Sequence, residues 1–210
     1  MVRILCIGDS HIPNRAKELP EKIYDKLGDL TKDKLFDFTF FTGDVIKFPK
    51  LLEFLDIKTN KNLFVVMGNM DYYYGNRNAP IHQKLEIPFE NNEKITLGLT
   101  HGAQISPRGD HSQLETLAIE KKYNVLVSGH THKEEIYLTK KGILLINPGS
   151  ITGAWSFLAS GIPSFIEIKI NESTKEISVD LIQIDKRSRE IITFKSNYLF
   201  KDNRITDSLI

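Results

Sequence analysis

Apolar runs alternate with amphipathic segments along most of the chain, and the alternation changes character midway. Residues 2–8 form an apolar run closing on glycine, and residues 36–43 and 62–68 repeat the pattern. Short apolar runs bounded by glycine read as strands buried on both faces. Between them, residues 19–30 and 48–55 read as helices, the second starting near Pro49. Strands separated by helices predict parallel pairing in βαβ units. In the second half, residues 94–100 and 124–128 predict strands. Residues 111–122 between them predict a helix with Leu114, Leu117 and Ala118 on one face. Residues 134–139 and 142–146, joined at Lys140-Lys141-Gly142, predict a hairpin. Residues 164–170, 177–184 and 190–194 add antiparallel strands. The expected architecture is α/β, with two sheets packed together, helices outside, and one domain over residues 1–200. Residues 201–210 are polar with scattered apolar positions and are expected to be a tail, frayed or ordered by a partner.

Composition narrows the function classes. With 210 residues, 40% hydrophobic and 26% charged, the chain has the make-up of a soluble globular protein. A formal net charge of +1 gives no global field for nucleic acid or an anionic membrane. A metal site could still supply local positive charge for a phosphorylated ligand. The single cysteine, Cys6, lies in an apolar run, reads as a buried hydrophobe and excludes an internal disulfide framework. The first residues lack signal-peptide architecture, and no apolar stretch reaches the roughly 20 residues that span a bilayer. A cytoplasmic location, no direct membrane insertion and no nucleic-acid partner are expected.

The chemistry is concentrated at strand ends. Gly8-Asp9-Ser10-His11, Gly43-Asp44, Gly68-Asn69-Met70-Asp71, His101-Gly102 and Gly129-His130-Thr131-His132 each follow a predicted strand. Open α/β sheets build sites at the carboxyl ends of strands, so these ligands are expected to converge. In extended backbone, Asp9 and His11, and likewise His130 and His132, would point the same way. A single histidine at a loop is usually only a polar surface residue. Four of the six histidines at strand-end glycine turns, together with two acids and an asparagine, point to a metal site instead. Carboxylate, amide and imidazole donors suit Zn²⁺, Mn²⁺ or Fe, and no thiolate joins them.

Seven ligands are too many for one ion and fit two bridged ions. Asp9, His11 and His132 are expected on one ion, and Asn69, His101 and His130 on the other, with Asp44 as the bridge. A water between the ions, its pKa lowered toward neutrality, would attack phosphorus. Asp71 is expected either to support the ligands from behind or to cap a turn. His82 and His111 are left as surface or supporting residues. Pro148 and Gly149 read as a tight turn.

The motifs GDSH, GDV, GNMD, THG and GHTH, in that order, resemble the calcineurin-like metallophosphoesterase superfamily over residues 1–194. The resemblance implies a four-layer α-β-β-α sandwich with a dinuclear centre held by the seven ligands. Residues 8–15, 101–110, 128–133, 146–154 and 162–165 are most similar to the vacuolar protein sorting 29-like branch of retromer subunits, and several are shared with archaeal and bacterial phosphodiesterases. That branch implies a helical-solenoid partner docked near the metal cleft, matching Ile105 and Pro107 here, and a peripheral membrane location through the complex. Met70 stands where superfamily enzymes often carry a histidine that helps the leaving group, and methionine transfers no proton. The expectation is a retromer-type scaffold with an intact metal pair and weak phosphodiesterase activity; the alternative is a stand-alone phosphodiesterase or phosphatase. Tyr72, Tyr73, Tyr74, Trp155, Phe157 and Leu158 are expected in loops, as partner anchors or as local packing.

Overall fold

In the computed structural model, which describes residues 1–90 and 92–208, the first apolar run becomes β1 (Val2–Ile7). It is followed by α1 (Glu21–Leu30), β2 (Phe36–Phe41), α2 (Pro49–Ile57), β3 (Thr59–Val65) and α3 (Asn69–Tyr73). The second half contributes β4 (His82–Pro88), β5 (Lys94–Thr100), α4 (His111–Lys121), β6 (Val125–Val127), β7 (Glu134–Leu138) and β8 (Leu144–Pro148). Last come β9 (Ser164–Ile170), β10 (Glu176–Ile184), β11 (Ile191–Lys201) and β12 (Arg204–Asp207). One sheet has the order β12-β11-β10-β9-β1-β2-β3 and the other β4-β5-β6-β8-β7.

Alternation within β1 sets the layers. Ile4 and Cys6 lie between the two sheets, with Leu97, Leu99, Val127 and Ile146 of the second sheet. Leu5 and Ile7 point the other way and pack with Ile23 and Leu27 of α1 and Leu51 and Leu55 of α2. On the far side of the second sheet, Leu126 and Leu145 pack with Leu114 and Ala118 of α4. Both sheets are thus covered on both faces, which gives the expected α-β-β-α layering and explains the mostly apolar strand runs. β1, β2 and β3 run parallel, as do β5, β6 and β8. The β7–β8 pair is the antiparallel hairpin expected from its turn.

β9 and β10 match the expected antiparallel strands, whereas β4 and the last strands depart from expectation. β4 was not anticipated, although its Leu85 and Ile87 alternate with exposed Lys84 and Glu86 in strand fashion. The polar tail expected from residue 201 is also corrected: β11 runs to Lys201, and residues 204–207 pair back on it as β12. Asp202 and Asn203 form the two-residue turn with φ of +50° and +57°, a geometry in which Asp and Asn are favoured. The Asn124 amide donates to the Asn203 carbonyl at 3.1 Å and fixes the turn against the second sheet. Ile205 is 1% exposed in the inter-sheet core. Residues 209–210 of the expected tail lie outside the described residues.

Ile205→Ala should therefore cost about 2–4 kcal/mol, the range for truncating a buried isoleucine. Urea unfolding should show the midpoint falling with an unchanged slope. A loss below about 0.5 kcal/mol, typical of a surface change, would mean that this segment does not belong to the folded sheet.

Candidate metal centre

Each candidate ligand follows a strand of one of the two parallel sets. Asp9 and His11 follow β1, Asp44 follows β2, and Asn69 opens α3 after β3. His101 follows β5, and His130 and His132 follow β6. The structure corrects how the paired residues converge. Asp9 and His11 have φ of +50° and +48°, and His130 and His132 have +71° and +60°, so neither pair is extended. Asp44 is at +59° as well. Left-handed non-glycine residues cost on the order of 1–3 kcal/mol each and persist only where surroundings enforce them. The turns holding Asp44 and Asn69 also meet closely. A Cβ on Gly43, whose φ is +99°, would lie 2.6 Å from the Gly68 nitrogen, so no larger residue fits there.

The side chains present lone pairs to a common space. Asp9, His11, Asp44 and His132 each offer one ligand atom, and these atoms lie within 4.8 Å of one another. His132 Nδ1 donates to the Ala154 carbonyl at 2.9 Å and His101 Nδ1 to the Thr42 carbonyl at 2.8 Å. A carbonyl can only accept, so in both rings the proton is on Nδ1 and Nε2 is bare. His132 Nε2 lies 3.0 Å from His11 Nε2 and 3.4 Å from Asp9 Oδ1. His101 Nε2 faces Asn69 Oδ1 at 3.0 Å, His130 Nδ1 at 3.2 Å and Asp44 Oδ2 at 3.6 Å. Asp44 Oδ2 is also 3.2 Å from His11 Nε2, placing one oxygen between the two groups of donors.

The opposite carboxylate oxygens are occupied. Asp9 Oδ2 accepts from the His130 N–H at 3.1 Å, and Asp44 Oδ1 from the Met70 N–H at 2.8 Å. Asp9 Oδ1 and His11 Nδ1 are buried with no hydrogen-bond partner among the described residues. A buried carboxylate oxygen beside the bare His132 Nε2 is costly unless a cation satisfies it. The donor set therefore fits divalent ions. Asp9, His11, Asp44 and His132 surround one position, and Asn69, His101 and His130 approach Asp44 from the other side.

Burial controls protonation. It pushes the Asp9 carboxyl up to about 7, against the opposing pull of His101. Asp44 is raised for the same first reason. Burial, with the neighbouring imidazoles, lowers His11 to about 2, and His130 is lowered to about 3. His132 is lowered too, despite its Ala154 bond. His11 and His132 are thus neutral near pH 7, and their approaches to carboxylates are not ion pairs.

Several residues support these loops from behind, among them Asp71, for which the sequence left that role and a turn cap open. Asp71 is buried: Oδ2 accepts from the Asp44 N–H at 2.7 Å and the Gly68 N–H at 3.0 Å, while Oδ1 accepts from the Ile46 N–H at 2.8 Å. It holds the turns after β2 and β3 together. The Asn147 amide donates to the Gly129 carbonyl at 2.9 Å and Ser150 Oγ to the Asp9 carbonyl at 2.8 Å. The turn near Pro148, expected to be only a turn, is thus flanked by braces to two ligand loops. Met70, Arg15 and Arg108 line the cleft with His11, Asp44, Asn69, His130 and His132. His111 Nε2 lies 3.0 Å from Glu135 Oε2, on α4 and away from these ligands. Ile105, expected at a partner surface, is 6% exposed and packs with Leu114 and Ala118, because its loop folds inward onto α4. Pro107 is exposed. Tyr72 and Tyr73 lie in α3 rather than a loop, and with Trp155, Phe157 and Leu158 they are exposed.

Comparison with known proteins agrees with this geometry. Residues 2–170 match the calcineurin-like phosphoesterase superfamily domain. A probable metallophosphoesterase of Methanothermobacter thermautotrophicus is 37% identical over 146 residues, 70% of this chain and 75% of that protein. The structure of Vacuolar Protein Sorting 29 from Cryptosporidium parvum is 31% identical, with a TM-score of 0.77 over 94% of this chain and 98% of that one. Wild-type Vps29 of Entamoeba histolytica, complexed with Zn²⁺, is 26% identical, with a TM-score of 0.76 over 93% and 99%. The chain belongs to the calcineurin-like phosphoesterase superfamily.

Proposed function

We propose that the protein is a metal-dependent phosphoester hydrolase whose cations are held by Asp9, His11, Asp44, Asn69, His101, His130 and His132. The observation that carries this reading is the unpartnered Asp9 Oδ1, buried 3.4 Å from His132 Nε2, a ring nitrogen whose proton sits on the far side against the Ala154 carbonyl. Zn²⁺ in the Entamoeba histolytica relative supports the same reading. Divalent cations bound at such a site polarise a phosphoryl oxygen and make water nucleophilic at neutral pH. The chain's own residues do the positioning. Asp71 fixes the Asp44 turn, and the Thr42 and Ala154 carbonyls hold the His101 and His132 rings with Nε2 facing inward. Met70, at the cleft, transfers no proton to a leaving group, which favours esters of acidic alcohols.

A second reading, a retromer-type subunit on a helical-solenoid partner, is supported by the likeness to Vps29. Its contact surface would use Pro107 and the exposed Trp155 and Phe157 rather than buried Ile105. If it holds, a solenoid protein co-purifies with the wild type and is lost from Trp155→Ser/Phe157→Ser; retention by that variant would remove this surface.

With Mn²⁺, p-nitrophenyl phosphate or bis-(p-nitrophenyl) phosphate should be hydrolysed. Asp9→Ala and His101→Ala should each lose about 10²-fold or more, and Asp71→Asn, acting behind a ligand, about 10–100-fold. Unchanged rates in both ligand variants would sink the hydrolase reading.

Cation affinity should rise with pH up to about 7, because binding below that point displaces the Asp9 proton while His11 and His130 are already neutral. One proton allows up to about tenfold per pH unit. In the cation-free chain the sign reverses. Asp9 titrates higher folded than its ordinary 3.8, so its contribution to stability is full below that value and lost as pH rises through about 7. The lowered histidines destabilise the fold as pH falls below 6.5. Mn²⁺ titrations at pH 6, 7 and 8 read the effect, and equal affinities at pH 6 and 7 would exclude Asp9 as the proton-bearing ligand.

A further inference from the structure

Two arginines at the cleft are unexplained by metal binding. Arg15 follows β1 of the seven-stranded sheet, and Arg108 follows β5 of the five-stranded sheet, so the cleft is flanked by one from each. Both are exposed, and among the described residues neither forms an ion pair with a carboxylate. Both loops are nevertheless anchored. The Arg15 N–H donates to the His11 carbonyl at 2.9 Å, and its Nη1 to the Trp155 carbonyl at 2.8 Å. The loop before Arg108 is pinned by buried Ile105 and by Gln113, whose amide donates to the Ser106 carbonyl at 2.6 Å.

We infer that Arg15 and Arg108 form a clamp for a terminal phosphoryl dianion, so that the cleft takes phosphomonoesters in preference to phosphodiesters. The inference rests on the phosphoester reading above and names its substrate class. A diester has two non-bridging oxygens and one negative charge, and a cation pair engages both oxygens. A monoester has a third non-bridging oxygen and a second charge, and guanidinium groups bind such oxygens in fork geometry. Two ligand carboxylates leave a pair of divalent cations with excess positive charge, and unpaired arginines add to it. A monoanion matches that field poorly and a dianion matches it better.

Isothermal titration of Mn²⁺-loaded protein at pH 8 with orthophosphate, against dimethyl phosphate as the monoanionic control, tests the clamp. Orthophosphate should bind at least about tenfold more tightly. Arg15→Gln and Arg108→Gln should each weaken it about tenfold, as expected for a charged hydrogen bond. Dimethyl phosphate and Mn²⁺ binding should change less than about twofold, within the scatter of surface substitutions. Arg15→Lys and Arg108→Lys should recover part of the loss, and the ratio of p-nitrophenyl phosphate to bis-(p-nitrophenyl) phosphate turnover should fall in the glutamine variants. Equal weakening of both anions, or of neither, overturns the clamp while leaving the metal site standing. Absence of Mn²⁺ binding in the wild type overturns the hydrolase reading and the clamp with it.

Discussion

Two buried carboxylates exchange backbone hydrogen bonds across the turns that follow β2 and β3, and the cleft depends on that exchange. Asp71 accepts the N–H groups of Asp44, Ile46 and Gly68, while Asp44 Oδ1 accepts that of Met70. Each carboxylate is therefore oriented by the loop that carries the other. Ile46, a β-branched residue held at φ +67°, shows how strongly the turn is constrained. Left-handed geometry at Asp44 and Ile46 stores backbone strain, and hydrogen bonds to a buried charged acceptor offset it. The free oxygen of Asp44 then points to the cleft because its partner oxygen is already engaged.

The same logic extends across the sheets. Ser150 binds the Asp9 carbonyl, and Asn147 binds the Gly129 carbonyl. The loops after β1 and β6 thus share one scaffold, the end of β8 and the turn that follows it. Ligands from two sheets keep fixed distances because rigid strands bring them near and side chains from a third loop lock the remaining freedom. Protein contacts from both sheets thus fix the positions of the donor atoms around the cleft.

Much of this was legible from local pattern, and the illegible parts share a cause. Glycine beside each ligand marked the strand ends, and the apolar run of β1, interrupted only by Arg3, marked a strand buried on both faces. The left-handed turns at Asp9 and His132 were not legible, because φ there is set by loop closure against neighbouring strands and not by residue type. Ile105 was expected at a partner surface from the family resemblance, and a loop isoleucine has no periodicity to correct that expectation; the inward fold of the loop onto α4 buries it. β12 was missed for a different reason. Its single core residue, Ile205, gives too weak an alternation, and the informative signal was the Asp202-Asn203 turn pair preceding it.

Net charge conceals how the cleft works. A total of +1 describes the whole surface, whereas the cleft sorts charge by depth. At the bottom, burial keeps His11 and His130 neutral well below pH 7, the protonation state in which an imidazole can serve as a donor to a cation. At the rim, arginine remains charged at any pH the protein meets. Protonated imidazoles would have supplied positive charge only in acid, when metal ligands are least effective. On the proposed reading, placing fixed charge on guanidinium and leaving imidazole neutral would separate two demands, holding a cation and attracting an anion. Both can then be met in the same pH range.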